Sequence, residues 1–179
     1  MDKFPLLYER FSLLTTDYRL LTTVQSMLSI GLISDTHGLL RPEARFALQD
    51  SDMILHAGDV GGPDVLDGLR SIAPTFAVRG NIDREGWARK LPLTEIVNAG
   101  GILLYLLHDL SQLDLDPKAA GFSAVIYGHS HRADAEMRDG VLYLNPGSAG
   151  RRRFDLPITV AEMRINEGHI KYSFKTLVP

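Results

Sequence analysis

The chain has 179 residues, no cysteine, and 22 acidic against 19 basic side chains, for a formal net charge of −3. That length buries the core of one domain without covalent staples, and the missing cysteine removes disulfides, thiolate zinc sites and cysteine nucleophiles together. The acidic balance argues against a nucleic-acid binder held mainly by phosphate neutralisation. No apolar run reaches the roughly 20 residues of a membrane span, so a cytoplasmic protein without a membrane partner is expected.

Residues 1–26 differ in character from the rest of the chain. They carry Asp2, Glu9 and Asp17 and lack both a basic start with an apolar centre and a small-residue cleavage site, so no secretory signal is read there. Their Leu and Tyr spacing permits a short amphipathic helix. We read them as an N-terminal extension (an appended helix, a partner contact or an over-extended start) and place the working domain at 27–179. From Met27 strand and helix alternate. Leu28 to Ser34 is a strand, Pro42 to Gln49 a helix with proline in its first turn, and Met53 to Ala57 a second apolar run. A helix from about Pro63 to Ile72 presents Val65, Leu66 and Leu69 on one face. Thr75 to Val78 is a third strand and Arg84 to Lys90 a short helix. Such a repeat predicts right-handed crossovers and a partly parallel sheet.

After Leu93 hairpins take over. Glu95 to Asn98 and Ile102 to His108 flank Ala99-Gly100-Gly101, although the run Ile102 to Leu107 would suit a helix by composition alone. Ala124 to Tyr127 is a buried strand. Asp139-Gly140 turns between residues 135–138 and 141–144, and Asn166-Glu167-Gly168 between Pro157 to Ile165 and His169 to Leu177. So many strands in one α/β domain predict two sheets packed face to face with helices outside.

The chemically able residues fall where strands end. The first strand stops at Ser34-Asp35-Thr36-His37-Gly38, placing Asp35 and His37 two apart on one face. Other runs end in His56-Ala57-Gly58-Asp59, Arg79-Gly80-Asn81-Ile82-Asp83, His108-Asp109 and Gly128-His129-Ser130-His131. Five of the six histidines lie at such ends, and only His169 does not. In open α/β sheets, sites form where the carboxyl ends of strands meet. Taken singly, Gly58-Asp59 is a turn and cap, Gly80-Asn81 an ordinary turn, and His56 a packed, hydrogen-bonded histidine rather than a ligand. The pair His129 and His131 is the most specific signal. A metal held here would sit on imidazole, carboxylate and amide donors, which suit Mn, Fe, Zn, Ni or Mg.

In this order, the elements D-x-H, G-D, G-N-x-D, H and G-H-x-H resemble the calcineurin-like metallophosphoesterase superfamily, and within it the small phosphodiesterases of the YfcE type, related in fold to the retromer small subunit. The resemblance runs from Met27 to about Leu177 and includes Asn145-Pro146-Gly147-Ser148. It implies a four-layer αββα sandwich and a metal-dependent phosphoesterase, most simply a phosphodiesterase acting on a small phosphoester. It implies that Asp35, His37 and His131 hold one divalent ion and Asn81, His108 and His129 another, with Asp59 bridging. Asp59, Asn81 and His129 then stand closest to the chemistry, and manganese is the first expectation for the metal. Such a pair, about 3.5 Å apart, shares a hydroxide that attacks phosphorus in line. A homodimer is compatible with the family.

Charge balance favours a diester: two divalent ions, Asp35, Asp59, a hydroxide and a diester monoanion sum to a neutral site. A monoester would need a further cation, which Arg151-Arg152-Arg153 would supply if that loop faces the ions and would not if it is merely solvated. Two departures stand out. Ile82 occupies the position where many members carry a proton-donating His, so no general acid is assigned. Asp109 follows His108 where Gly is common, and either adds charge beside the second ion or points to solvent. Pro146-Gly147-Ser148-Ala149-Gly150 misses the first Gly of a nucleophile elbow, and no G-x-G-x-x-G follows the first strand. The remaining alternative is a non-catalytic metal-binding scaffold on the same fold.

Overall fold

Hydrophobic alternation sorts the chain into two sheets. The computed structural model describes residues 27–153 and 155–178; the extension and amphipathic helix read for residues 1–26 lie outside the described residues. In chain order the elements are β1 (Leu28–Ile33), α1 (Pro42–Leu48), β2 (Met53–His56), α2 (Pro63–Arg70), β3 (Thr75–Ala77), a 3₁₀ turn (Gly86–Lys90), β4 (Thr94–Ala99) and β5 (Ile102–Leu107). A second 3₁₀ turn (Leu110–Gln112), β6 (Ala124–Ile126), β7 (Ala133–Arg138), β8 (Val141–Pro146), β9 (Ile158–Asn166) and β10 (His169–Val178) complete the described chain. No described helix is long and apolar enough to cross a membrane.

One sheet has the order β10-β9-β1-β2-β3 and the other β4-β5-β6-β8-β7. β1, β2 and β3 run parallel, as do β5, β6 and β8, and hairpins add the antiparallel strands. Each β1 side chain takes the face its parity dictates. Ile30 and Leu32 meet Leu104, Leu106, Ile126, Leu144 and Met163 between the sheets. Ile33 instead packs outward against Leu48 of α1 and Val65, Leu66 and Leu69 of α2. Both helices open on proline, whose missing N–H costs nothing in the first turn. Burying each large apolar side chain contributes about 1.5–3 kcal/mol before chain entropy is set against it, so the three apolar residues of α2 are what hold that helix to the sheet.

The hairpins turn through two residues with positive φ: Gly100-Gly101 (60° and 84°), Asp139-Gly140 (51° and 86°) and Glu167-Gly168 (49° and 80°), the geometry that follows strand twist. The run Ile102 to Leu107 is a strand because β4 and β6 flank it. Arg84 to Lys90 shortens to a 3₁₀ turn. The αββα order stands, with a thin fourth layer: the outer face of the second sheet, with Tyr105, Leu107, Val125 and Tyr143, is covered by Leu110, Leu113, Leu115 and Phe122. Among the described residues the helical content of this layer is the 3₁₀ turn; residues 117–121 make a single turn that the Asp116 carboxylate caps and Gly121, at φ 81°, ends.

Candidate metal centre

β1, β2, β3, β5 and β6 all end on the same rim of the sandwich, and the five polar strand-end segments follow them directly. The backbone there is unusual. Asp35, His37, Asp59, His129 and His131 have φ of 53°, 47°, 53°, 69° and 60°. Non-glycine residues seldom adopt this left-handed region, at about 1–3 kcal/mol each, and such strain concentrates at functional sites. Mutual hydrogen bonds hold it: the Asp35 N–H donates to Gly58 O (3.0 Å), His37 N–H to Asp59 O (3.0 Å) and Gly38 N–H to Val60 O (2.8 Å). Two glycines let the loops close. A Cβ at Gly80 would strike the Asp59 carboxylate and backbone, and one at Gly128 would strike Ser34 Oγ.

Seven side chains meet. His131 Nε2 lies 3.2 Å from Asp35 Oδ1 and 3.3 Å from His37 Nε2, and His37 Nε2 is 3.8 Å from Asp59 Oδ2. On the other side Asp59 Oδ1 is 3.4 Å from His108 Nε2, while Asn81 Oδ1 is 3.2 Å from His108 Nε2 and 3.1 Å from His129 Nδ1. The donor atoms of Asp35, His37 and His131 fall within 4.8 Å of one another, as do those of Asp35, Asp59 and His108. Donors held about 2.1 Å from one ion stand roughly 3.0–3.5 Å apart, so all of these spacings but the longer one between His37 and Asp59 fall where a cation would set them. One atom makes the point directly. Asp35 Oδ1 is buried and accepts no hydrogen bond, an expensive state for an anionic oxygen that a cation would relieve. Its other oxygen accepts from Ser34 Oγ–H (2.7 Å) and the His129 N–H (3.1 Å).

Protonation follows from these contacts. Burial alone would raise the Asp59 carboxyl, but the hydrogen bond and charge of His108 and the Ile82 N–H hold it below its ordinary range. Burial would lower His108, yet Asp59 and the carbonyl of Ala57, which takes its Nδ1–H at 2.7 Å, raise it. Fixing that tautomer turns Nε2 toward the centre. Burial, aided by the nearby Arg153 charge, lowers His37.

A scaffold of polar residues sets the ligand loops. His56, fully buried, accepts the Gly58 N–H at Nδ1 (3.2 Å) and bonds Thr36 Oγ1 through Nε2 (2.9 Å), and Thr36 Oγ1–H donates to Val60 O (2.9 Å). Thus His56 is a packed histidine that ties the loop of Asp35 and His37 to the loop of Asp59. Asp83 accepts the backbone N–H groups of Val60 (3.0 Å), Gly61 (2.8 Å) and Gly80 (2.9 Å). Asn145 donates to Gly128 O (2.7 Å), and Ser148 Oγ–H to Asp35 O (3.0 Å). Sequence reasoning assigned Asp83, Asn145 and Ser148 no task; Asn145 two residues before Gly147 was the available signal, since an Asx turn forms there at 2.9 Å. His169 lies away from the centre on β10. Asp109 turns to Ser111, accepting its N–H (2.9 Å) and Oγ–H (2.8 Å). Arg151, Arg152 and Arg153 are exposed.

Residues 28–168 match the family model of the calcineurin-like phosphoesterase superfamily domain. The chain is 35% identical over 149 residues to a protein of Methanothermobacter thermautotrophicus named a probable metallophosphoesterase, covering 76% of this chain and 86% of that one. It is 30% identical over 139 residues to a phosphodiesterase of Methanocaldococcus jannaschii, covering 67% and 83%. Its fold is that of Vps29 from Chaetomium thermophilum, with a TM-score of 0.68 at 20% identity over 83% of this chain and 96% of that one. With strand-end residues that fit a cation, a family match over most of its length and relatives of this kind, the chain belongs to the calcineurin-like phosphoesterase superfamily.

Proposed function

We propose that the chain is a phosphodiesterase that hydrolyses a small phosphoester with two divalent cations. Asp35, His37 and His131 would hold one, Asn81, His108 and His129 the other, with Asp59 shared. Manganese is the first expectation, and the same donors accept iron, zinc, nickel or magnesium. The observation that carries this reading is the aim of Asp59, whose two oxygens face different histidines, His37 at 3.8 Å and His108 at 3.4 Å. When bound, two such cations supply an activated water and disperse charge on the phosphoryl oxygens.

The chain's own groups do the rest. Asn81 turns Oδ1 toward His108 and His129, which leaves its NH₂ to donate to a phosphoryl oxygen. Its neutrality preserves the positive field that an ester anion needs. Ile82 brings no transferable proton, so no side chain is assigned to protonate the leaving oxygen, and losing a positioned acid typically costs about 10²-fold or more. Good leaving groups should therefore react far faster than alkyl ones. The phosphodiesterase relative in Methanocaldococcus jannaschii supports the diester over the monoester.

The test compares bis-nitrophenyl phosphate, nitrophenyl phosphate and an alkyl diester with the manganese-loaded chain, His129→Ala and Asp59→Asn, and counts bound metal by calorimetry. We expect two ions per chain, preference for the nitrophenyl diester, and at least about 10³-fold loss in Asp59→Asn. Unchanged turnover in both variants would sink the mechanism; metal binding without any turnover would favour the scaffold alternative.

A further inference from the structure

Beside the candidate centre lies a cavity of about 350 Å³ whose lining includes Asn81 and His108 and continues outward over Arg79, Leu93, Tyr105 and Asp114. We propose that this cavity is the subsite for the organic substituent of a phosphodiester, and that the substituent is a nucleoside. The inference rests on the phosphodiesterase reading and adds the substrate class.

Three observations carry it. The first is position. Asn81 and His108 belong to the cavity and to the second ligand group, so an ester whose phosphorus sits at the centre can extend a substituent directly into the cavity. The second is the wall. Tyr105 is buried, with its ring centroid 5.0 Å from that of Phe122, which fixes it as a firm apolar surface, and Leu93, 58% exposed, lines the same cavity. The third is Arg79. It is half-buried, its backbone N–H is taken by Pro92 O at 2.9 Å, and its guanidinium has no carboxylate or carbonyl partner among the described residues. A partly desolvated guanidinium without a partner is a poor structural element and a good ligand for a flat ring, which it stacks upon and hydrogen-bonds at the edge.

The charge is mixed, since Asp109 and Asp114 line the cavity together with Arg79. That argues against a second phosphate, which Asp114 would repel, and for a ring carrying both donors and acceptors. A nucleobase has these and a flat face, and the volume falls within the range of small-molecule sites.

The test uses the full, manganese-loaded chain and esters that share one leaving group: methyl p-nitrophenyl phosphate and the p-nitrophenyl esters of thymidine and guanosine 5′-phosphate. At least one nucleoside ester should exceed the methyl ester in kcat/KM by about 10²-fold, with base stacking supplying much of the difference. Arg79→Met and the exposed Leu93→Ser should each cut that ratio about tenfold. Calorimetric binding of thymidine and guanosine 5′-monophosphate, which needs no turnover, should weaken about tenfold in both variants. A wild-type ratio near one, or a ratio and a nucleotide affinity that neither substitution moves, overturns the proposal. If no ester is cleaved while nucleotide binding still depends on Arg79, the subsite stands and the phosphodiesterase reading falls.

Discussion

The two halves of the candidate centre are built differently. Asp35 and His131 are 0% and 7% exposed, and their half is backed by Ser34, Ser148, the His129 N–H and the His56 link. In the other half only His108 is buried, while Asn81 and His129 are exposed, and Asn81 and His108 border the cavity. The closed half carries a buried anion, Asp35, which is affordable only where dense hydrogen bonding holds it. The open half replaces that anion with a neutral amide. A site arranged this way keeps its anchoring charge on the closed side and would present its least repulsive face to an anionic ester.

Stability of the metal-free chain tests the distinction most sharply. His131→Ala removes a buried ring beside an oxygen that already lacks a donor, and we expect a loss of about 3 kcal/mol. His129→Ala, at an exposed position, should stay within about 0.5 kcal/mol while still weakening metal binding. Equal losses in denaturant unfolding would erase the closed and open halves as a physical difference.

His56 probes the closed half from behind. Burial pushes its pKa down to about 4, against the raising pull of Asp35, Asp83 and Asp59, whereas the unfolded chain holds it near 6.5. Since the unfolded state takes up the proton first, the stability contributed by neutral His56 is complete above about pH 6.5. It is lost as pH falls toward about 4, by about 3 kcal/mol in all. His56→Gln keeps a donor but loses the ring geometry and this titration. The variant should be about 2 kcal/mol less stable at pH 7, with the gap to wild type closing at about pH 5 and reversing below it. A gap that is constant with pH would mean that His56 is not held neutral.

Most of this centre was legible before the fold because its ligands follow strands, and strands are written in short apolar runs that stop at Gly or a polar residue. Both helices and the three hairpins were equally plain, as each rests on local patterning. The left-handed backbone at Asp35, His37, Asp59, His129 and His131 was not legible. It depends on hydrogen bonds between loops more than twenty residues apart, such as His37 to Asp59 O, and Asp or His alone does not announce it. Asp83, quoted in G-N-x-D, had no task assigned for the same reason: its three N–H partners come from two loops. What covers the second sheet was not legible either, because Leu113 and Leu115, two apart, lie outside any helix and give no helical period.

The smallest expected effect settles the role of Asp109 in the open half. Its carboxylate follows a candidate ligand directly, and a charge so placed would tighten a metal if it turned inward. Instead Oδ1 is taken twice by Ser111; burial raises the carboxyl slightly, and these bonds hold it below the ordinary range. The group thus caps the 3₁₀ turn Leu110–Gln112, part of the thin layer over the second sheet. Asp109→Ala should cost about 1 kcal/mol, as lost caps do, and change metal affinity less than about twofold, because water and salt screen an outward charge. Tenfold weaker metal binding at unchanged stability would show the reverse: that the carboxylate reaches the open half and offsets the neutrality which Asn81 provides there.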